Sequence, residues 1–81
     1  MHKILIVDDE EAARYGIRRV LENEDTQVFE AANAAAARAA INECRPDLML
    51  VDINMPGEDG VALVKSLAQS RFRPVVIMVT S

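Results

Sequence analysis

The sequence KILIVDD, residues 3–9, leads from an apolar stretch of strand length into two consecutive aspartates. A continuous apolar run of this length is typical of a strand that is buried on both faces of a parallel sheet. A second run, DLMLVD at residues 47–52, ends on Asp52 in the same way. Because functional residues gather at the carboxyl ends of parallel strands, we expect Asp8, Asp9 and Asp52 to lie close together.

Strands and helices alternate along the rest of the chain. Apolar residues at helical spacing predict helices at 10–23, at 33–44 with Asn33 as N-cap, and at 60–71, while short apolar runs predict strands at 26–31 and 75–79. This alternation indicates one α/β domain with parallel strands joined by right-handed crossovers. The residues expected to face the sheet are Ala13, Ile17, Val20 and Leu21 in the first helix and Ala37, Ala40, Ile41 and Cys44 in the second. The third helix is marked by Val61, Leu63, Val64 and Leu67.

Composition limits the class of protein. The chain has 81 residues, which allow one small domain, and its net charge of −4 without a dense basic stripe argues against direct binding of nucleic acid. No apolar stretch approaches the roughly 20 residues needed to cross a bilayer, so no membrane association is expected. Nothing at the N-terminus resembles a signal peptide, and the single cysteine, Cys44, cannot form an internal disulfide. We therefore expect a cytoplasmic protein.

The three aspartates predict a cation site with a reactive carboxylate. Clustered carboxylates repel one another, and a hard cation such as Mg²⁺ relieves that repulsion. We expect Asp9 and Asp52 to be direct ligands, Asp8 to hold a coordinated water, and the backbone carbonyl of Asn54 to complete the metal site. Asp52 is also placed to attack a phosphoryl group and to carry an aspartyl phosphate. Thr80, after the last predicted strand, is placed to donate its hydroxyl to a phosphoryl oxygen.

Taken together, these motifs resemble the receiver (phosphoacceptor) domain of bacterial two-component response regulators. The matching segments are ILIVDDE at residues 4–10, LVDINMPGEDG at residues 50–60, and Thr80 after an apolar strand. The resemblance implies a flavodoxin-like fold, a doubly wound parallel sheet with strand order 2-1-3-4 over this chain. It also implies that a histidine kinase or a phosphotransfer protein donates a phosphoryl group, with Mg²⁺ as the cofactor.

The resemblance assigns a role to each matching residue. Asp52 is the expected phosphoacceptor, Asp8 and Asp9 are the acidic metal-binding pair, Asn54 lends its carbonyl to the metal, and Thr80 is the switch hydroxyl. The residues expected to shape the loop after Asp52 are Met55, Pro56 and Gly60.

The chain departs from the family pattern at its carboxyl-terminal end. Receiver domains continue with a fifth strand and two further helices, so residues 1–81 are expected to be the N-terminal portion of a single receiver domain, with four strands and three helices. The phosphate-contacting lysine of the family is absent from this chain, because Lys65 falls in the third helix and out of register for that role. The output domain is also absent, and we expect the strand at 75–79 to be an exposed edge through which copies self-associate.

Three functions from different classes are compatible with the sequence. The first is a signalling receiver that is phosphorylated on Asp52 and switches a downstream output; it catalyses its own phosphorylation and dephosphorylation but is not an enzyme that turns over a foreign substrate. The second is a phosphorylation-incompetent interaction module, which the missing lysine favours. The third is an aspartyl-phosphate phosphohydrolase. It is disfavoured because such enzymes usually carry an acid two residues after the nucleophile, where this chain has Asn54.

Overall fold

The computed structural model describes residues 2–53, 60–69 and 74–79. Strands and helices alternate along these residues, as the sequence predicts. In chain order the elements are β1 (His2–Val7), α1 (Glu11–Leu21), β2 (Thr26–Ala31), α2 (Ala34–Cys44), β3 (Leu48–Asp52), α3 (Gly60–Ala68) and β4 (Val75–Val79). None of the described helices combines the length and the apolar character that a bilayer crossing requires.

The strands form one parallel sheet in the order β2-β1-β3-β4, which confirms the predicted order. Val7 at the end of β1 is in register with Ala31 of β2 on one side and with Val51 of β3 on the other. Asp52, the next residue of β3, is in register with Val79 of β4. The residues that follow Val7 therefore come out of the sheet beside Asp52, at its carboxyl edge.

Asp47 fixes the register of three strands at the opposite edge of the sheet. Its backbone N–H donates to the carbonyl of Lys3 at 2.8 Å, and its carboxylate Oδ2 accepts from the Lys3 N–H at 2.9 Å. Its own carbonyl accepts from the N–H of Val75 at 3.1 Å. One residue thus aligns the amino ends of β1, β3 and β4, and the alignment carries along the strands to the carboxyl edge.

The larger core lies between the sheet and the helices α2 and α3. The strands bury Leu5, Val7, Met49 and Val51 in it, each fully shielded from solvent. The helices cover these side chains with Ala34, Ala37, Ile41, Leu63 and Leu67. The small residues of α2 allow that helix to approach the sheet closely, and the apolar burial supplies most of the driving force for folding.

The ends of α2 are set by the residues that the sequence singles out. The side-chain oxygen of Asn33 accepts a hydrogen bond from the N–H of Ala36 at 2.8 Å, which confirms Asn33 as the N-cap. Arg45 adopts the left-handed conformation, with φ of 49°, directly after Cys44. The chain then turns through Pro46 into β3, which begins at Leu48.

Helix α1 covers the other face of the sheet over a smaller cluster. Ile17 and Leu21 pack against the buried side chains of Ile4, Ile6 and Val28. The prediction that Val20 also faces the sheet is wrong, since Val20 is 82% exposed. Successive residues of a helix are about 100° apart, and α1 turns the side of Leu21 inward, so its neighbour Val20 points to solvent.

The apolar residues that mark α3 lie on more than one side of the helix. Leu63 and Leu67 are buried, as expected from their spacing, but Val61 is 42% exposed. Val61 lies two positions before Leu63 and therefore on the far side of the helix.

Candidate functional site

Three aspartates from the ends of β1 and β3 meet at the carboxyl edge of the sheet. One carboxylate oxygen from each of Asp8, Asp9 and Asp52 lies within 4.8 Å of the other two. Asp52 ends β3 and is only 5% exposed, whereas Asp8 is partly buried and Asp9 is exposed. The structure therefore brings together the three side chains that the sequence places at this edge.

The chemistry of this acidic cluster fits a hard divalent cation. Carboxylates at this separation repel one another when ionised, and the burial of Asp52 removes part of the water that would screen them. Mg²⁺ takes oxygen ligands, commonly one or two carboxylates, and completes its shell with water and phosphate oxygens. A set of three carboxylates, one buried and one open to solvent, can hold such an ion.

The backbone and side chain of Asp8 are held at three points. Its N–H donates to the carbonyl of Ala31, the last residue of β2, at 3.0 Å. Its carbonyl accepts from Nη1 of Arg14 at 2.6 Å, and its carboxylate Oδ1 accepts from the N–H of Glu10 at 2.9 Å. The first aspartate of the pair therefore has a fixed backbone orientation.

Arg14 belongs to an ion-pair network between α1 and β2. Its Nε donates to Oε1 of Glu30 at 3.1 Å, and Nη1 of Arg18 donates to Oε2 of the same carboxylate at 2.9 Å. Arg18 also contacts Glu22 at 3.3 Å, and its hydrogen bond to Glu30 is the largest cause that raises the pKa of Arg18. Arg14 was not among the predicted site residues, although its spacing from Arg18 and Leu21 places all three on one side of the helix.

Gly60 begins α3 against the backbone of Asp52. A Cβ at this position would overlap the carbonyl oxygen of Asp52 and would stand 2.9 Å from Cγ1 of Val51. Glycine is the residue that allows two backbones to approach this closely. The start of α3 is thus in direct contact with the residue that the sequence predicts as the phosphoacceptor.

The other predictions for the site concern residues that lie outside the described part of the chain. These residues are Asn54, Met55, Pro56 and Thr80. Lys65 lies in α3, as predicted, and its side chain is exposed.

A comparison with protein families assigns the chain. A family model described as the response regulator receiver domain matches residues 4–81. The chain belongs to this receiver domain family. The receiver is 40% identical over 83 residues to the transcriptional regulatory protein BtsR of Salmonella typhi, a match that covers 100% of this chain and 34% of that relative. It is 42% identical over 65 residues to sporulation initiation phosphotransferase F of Bacillus subtilis (strain 168), covering 80% of this chain and 52% of that one.

Solved structures agree with this assignment. The MaeR response regulator bound to beryllium trifluoride superimposes with a TM-score of 0.89 at 25% identity, covering 100% of this receiver and 68% of that chain. The receiver spans about a third to a half of the length of the curated relatives it matches. The predicted family and the flavodoxin-like fold are therefore confirmed. Neither relative's name supports the two alternative functions, the phosphorylation-incompetent interaction module and the phosphohydrolase.

Proposed function

We propose that this receiver accepts a phosphoryl group on Asp52 with Mg²⁺ bound beside it, and that the phosphorylated form switches a downstream output. The observation that carries the proposal is the convergence of Asp8, Asp9 and Asp52, with one oxygen from each within 4.8 Å of the others. Two comparisons support it. One relative is named a phosphotransferase, and a structural neighbour is bound to beryllium trifluoride, a chemical mimic of a phosphoryl group.

In the proposed reaction Asp52 is the nucleophile. A carboxylate oxygen of Asp52 attacks the phosphorus of a phosphohistidine, so that a new P–O bond forms as the P–N bond breaks. The imidazole nitrogen keeps the electron pair of the broken bond and then takes a proton from solvent. Because Asp52 is buried, little of its side chain is open to water, and the donor has to reach it from the carboxyl edge of the sheet.

The neighbouring residues hold the ion and orient the phosphoryl group. Asp9 and Asp52 would hold Mg²⁺ as direct ligands, Asp8 would bind it through a coordinated water, and the carbonyl of Asn54 would complete the protein ligands. When bound, the ion neutralises charge on the phosphoryl oxygens and favours in-line transfer. Thr80 donates its hydroxyl to a phosphoryl oxygen and acts as the switch residue, while Met55, Pro56 and Gly60 shape the loop between the acceptor and α3.

The proposal extends to the partners and the cellular setting. The donor is a histidine kinase or a phosphotransfer protein, and the receiver catalyses only its own phosphorylation and dephosphorylation. Residues 1–81 act as the N-terminal portion of a receiver domain, in keeping with the 68% of the MaeR chain that they cover. The buried free thiol of Cys44 fits a reducing cytoplasm. Exposed apolar residues of β4, such as Val75 and Ile77, support self-association through that strand.

A phosphorylation assay tests the proposal. The protein is incubated with Mg²⁺ and acetyl phosphate, or with beryllofluoride, and the adduct is followed by intact mass and by NMR spectra. We expect one adduct in the wild type, none in Asp52→Asn, and an unchanged adduct in the matched control Asp25→Asn, which makes the same substitution at an exposed site at the other end of the sheet. An adduct that persists in Asp52→Asn, or that forms without a divalent cation, would contradict the proposal.

A further inference from the structure

Arg14 connects the acidic cluster to the second strand of the sheet. Its Nη1 donates to the carbonyl of Asp8 at 2.6 Å, while its Nε donates to Oε1 of Glu30 at 3.1 Å. Only 13% of the Arg14 side chain is exposed. Because the guanidinium is a rigid plane, the carboxylate that holds Nε also determines the direction in which Nη1 points.

Glu30 is itself held in place. Its second oxygen, Oε2, accepts from Nη1 of Arg18 at 2.9 Å, so that both carboxylate oxygens are engaged. The next residue, Ala31, accepts the N–H of Asp8 at 3.0 Å. The end of β2 therefore fixes Asp8 on both sides, at its N–H through Ala31 and at its carbonyl through Glu30 and Arg14.

The carbonyl that Arg14 holds belongs to the peptide bond between the two aspartates of the pair. A peptide unit is planar, so fixing the oxygen of Asp8 also fixes the orientation of the N–H and Cα of Asp9. The side chain of Asp9 is exposed, and no packing around it would replace that constraint. The distances from the carboxylates of Asp8 and Asp9 to Asp52 therefore depend on Arg14.

We propose that Arg14 is a positioning residue for the metal site. By holding the peptide between Asp8 and Asp9, it keeps both carboxylates at a separation from Asp52 that one divalent cation can bridge. The inference rests on the proposed function, which is metal-dependent phosphorylation of Asp52. Arg14 acts through the backbone and contacts neither the ion nor the phosphoryl group. Its loss weakens metal binding and leaves the rate at saturating metal unchanged.

The experiment compares Arg14→Gln with Arg18→Gln in the protein as it is naturally expressed. Both variants remove one positive charge and one hydrogen bond to Glu30, but only the first removes the bond to Asp8. The dissociation constant for Mn²⁺ is measured by electron paramagnetic resonance, and the rate of phosphorylation by acetyl phosphate is measured against Mg²⁺ concentration.

We expect Arg14→Gln to bind Mn²⁺ about 10- to 100-fold more weakly, as is typical when a residue that orients metal ligands is lost. Its phosphorylation should need correspondingly more Mg²⁺ and then reach the wild-type rate. Arg18→Gln should weaken binding far less, because Glu30 keeps its hydrogen bond to Arg14 and the bond from Arg14 to Asp8 remains. Arg14→Lys should recover part of the affinity, because a lysine supplies the charge but not the planar pair of donors.

Several results would overturn the inference. One is an Arg14→Gln variant that binds Mn²⁺ as tightly as the wild type, and another is an Arg18→Gln variant that is weakened as much as Arg14→Gln. A third is an Arg14→Gln variant with unchanged affinity but a lower rate at saturating Mg²⁺. In each case the proposed function still stands if wild-type Asp52 forms the adduct. Failure of the wild type to bind metal or to form the adduct defeats the proposed function and the inference together. If circular dichroism shows that Arg14→Gln is unfolded, Arg14→Lys takes its place, and a dissociation constant equal to that of the wild type would overturn the inference.

Discussion

Replacing Gly60 by alanine is expected to destabilise the fold at the acceptor strand. The new methyl group would overlap the carbonyl oxygen of Asp52 and would lie 2.9 Å from Cγ1 of Val51. Val51 is fully buried and Asp52 is 5% exposed, so the strand cannot yield without disturbing the larger core. Overpacking of this kind costs about 1–3 kcal/mol.

Gly16→Ala provides the matched control. Gly16 lies within α1, is exposed, and would place its new Cβ with no atom within 4 Å. An alanine in a helix interior is more stable than a glycine by about 0.5–1 kcal/mol. The same chemical change should therefore raise the free energy of unfolding at one glycine and lower it at the other.

Urea unfolding followed by circular dichroism measures both effects. A loss of 1 kcal/mol lowers the melting temperature of a domain of this size by about 4–8 °C, so thermal melts give an independent check. We also expect Gly60→Ala to slow phosphorylation of Asp52, since the clash falls on its carbonyl, whereas Gly16→Ala should not. The reasoning would be refuted if the two alanine variants were stabilised alike, because the close approach of α3 to β3 would then be absent in solution.

Three further predictions concern the cap, the thiol and the metal. Asn33→Ala should lower the free energy of unfolding by about 1 kcal/mol, because the N–H of Ala36 loses its acceptor; urea titration that shows no change would contradict the cap. Burial raises the pKa of the Cys44 thiol, so stability should hold below the ordinary thiol pKa and fall as the pH rises through the raised one. Maleimide should react with Cys44 far more slowly in the folded than in the unfolded protein, and equal rates would refute its burial. Mg²⁺ at 100 times its dissociation constant should stabilise the wild type by about 2.7 kcal/mol; calorimetry should show this gain abolished by EDTA and much reduced in Asp9→Asn.

The strands could be predicted from sequence because their signals are local and strong, whereas their order was predicted from the resemblance to receiver domains. Runs such as residues 3–7 and 47–51 are apolar throughout, and a strand buried on both faces tolerates little else. It was harder to predict from sequence which side chains of α1 face the sheet. Val20 and Leu21 are adjacent apolar residues, and the choice between them depends on how the whole helix packs on distant strand residues such as Val28.

In the site, too, the residues with local sequence signals could be predicted, and the residue that depends on distant contacts could not. Asp8, Asp9 and Asp52 were predictable because each follows or ends a recognisable strand, and parallel topology brings such ends together. Arg14 was not, because its two partners are a backbone carbonyl and a carboxylate 16 positions away in sequence. A pattern of residues cannot show a hydrogen bond to a main-chain oxygen, since every residue has one.

Because Asp47 anchors the start of β3, the number of residues from Asp47 to Asp52 determines where the acceptor lies. From Asp47 to Asp52 the chain advances five residues, about 17 Å at the usual rise per strand residue. A single insertion between them would move the acceptor about 3.3 Å and turn every following side chain of the strand to the opposite face. We therefore expect the span from Asp47 to Asp52 to keep its length in homologous sequences, because the acceptor must reach its neighbours.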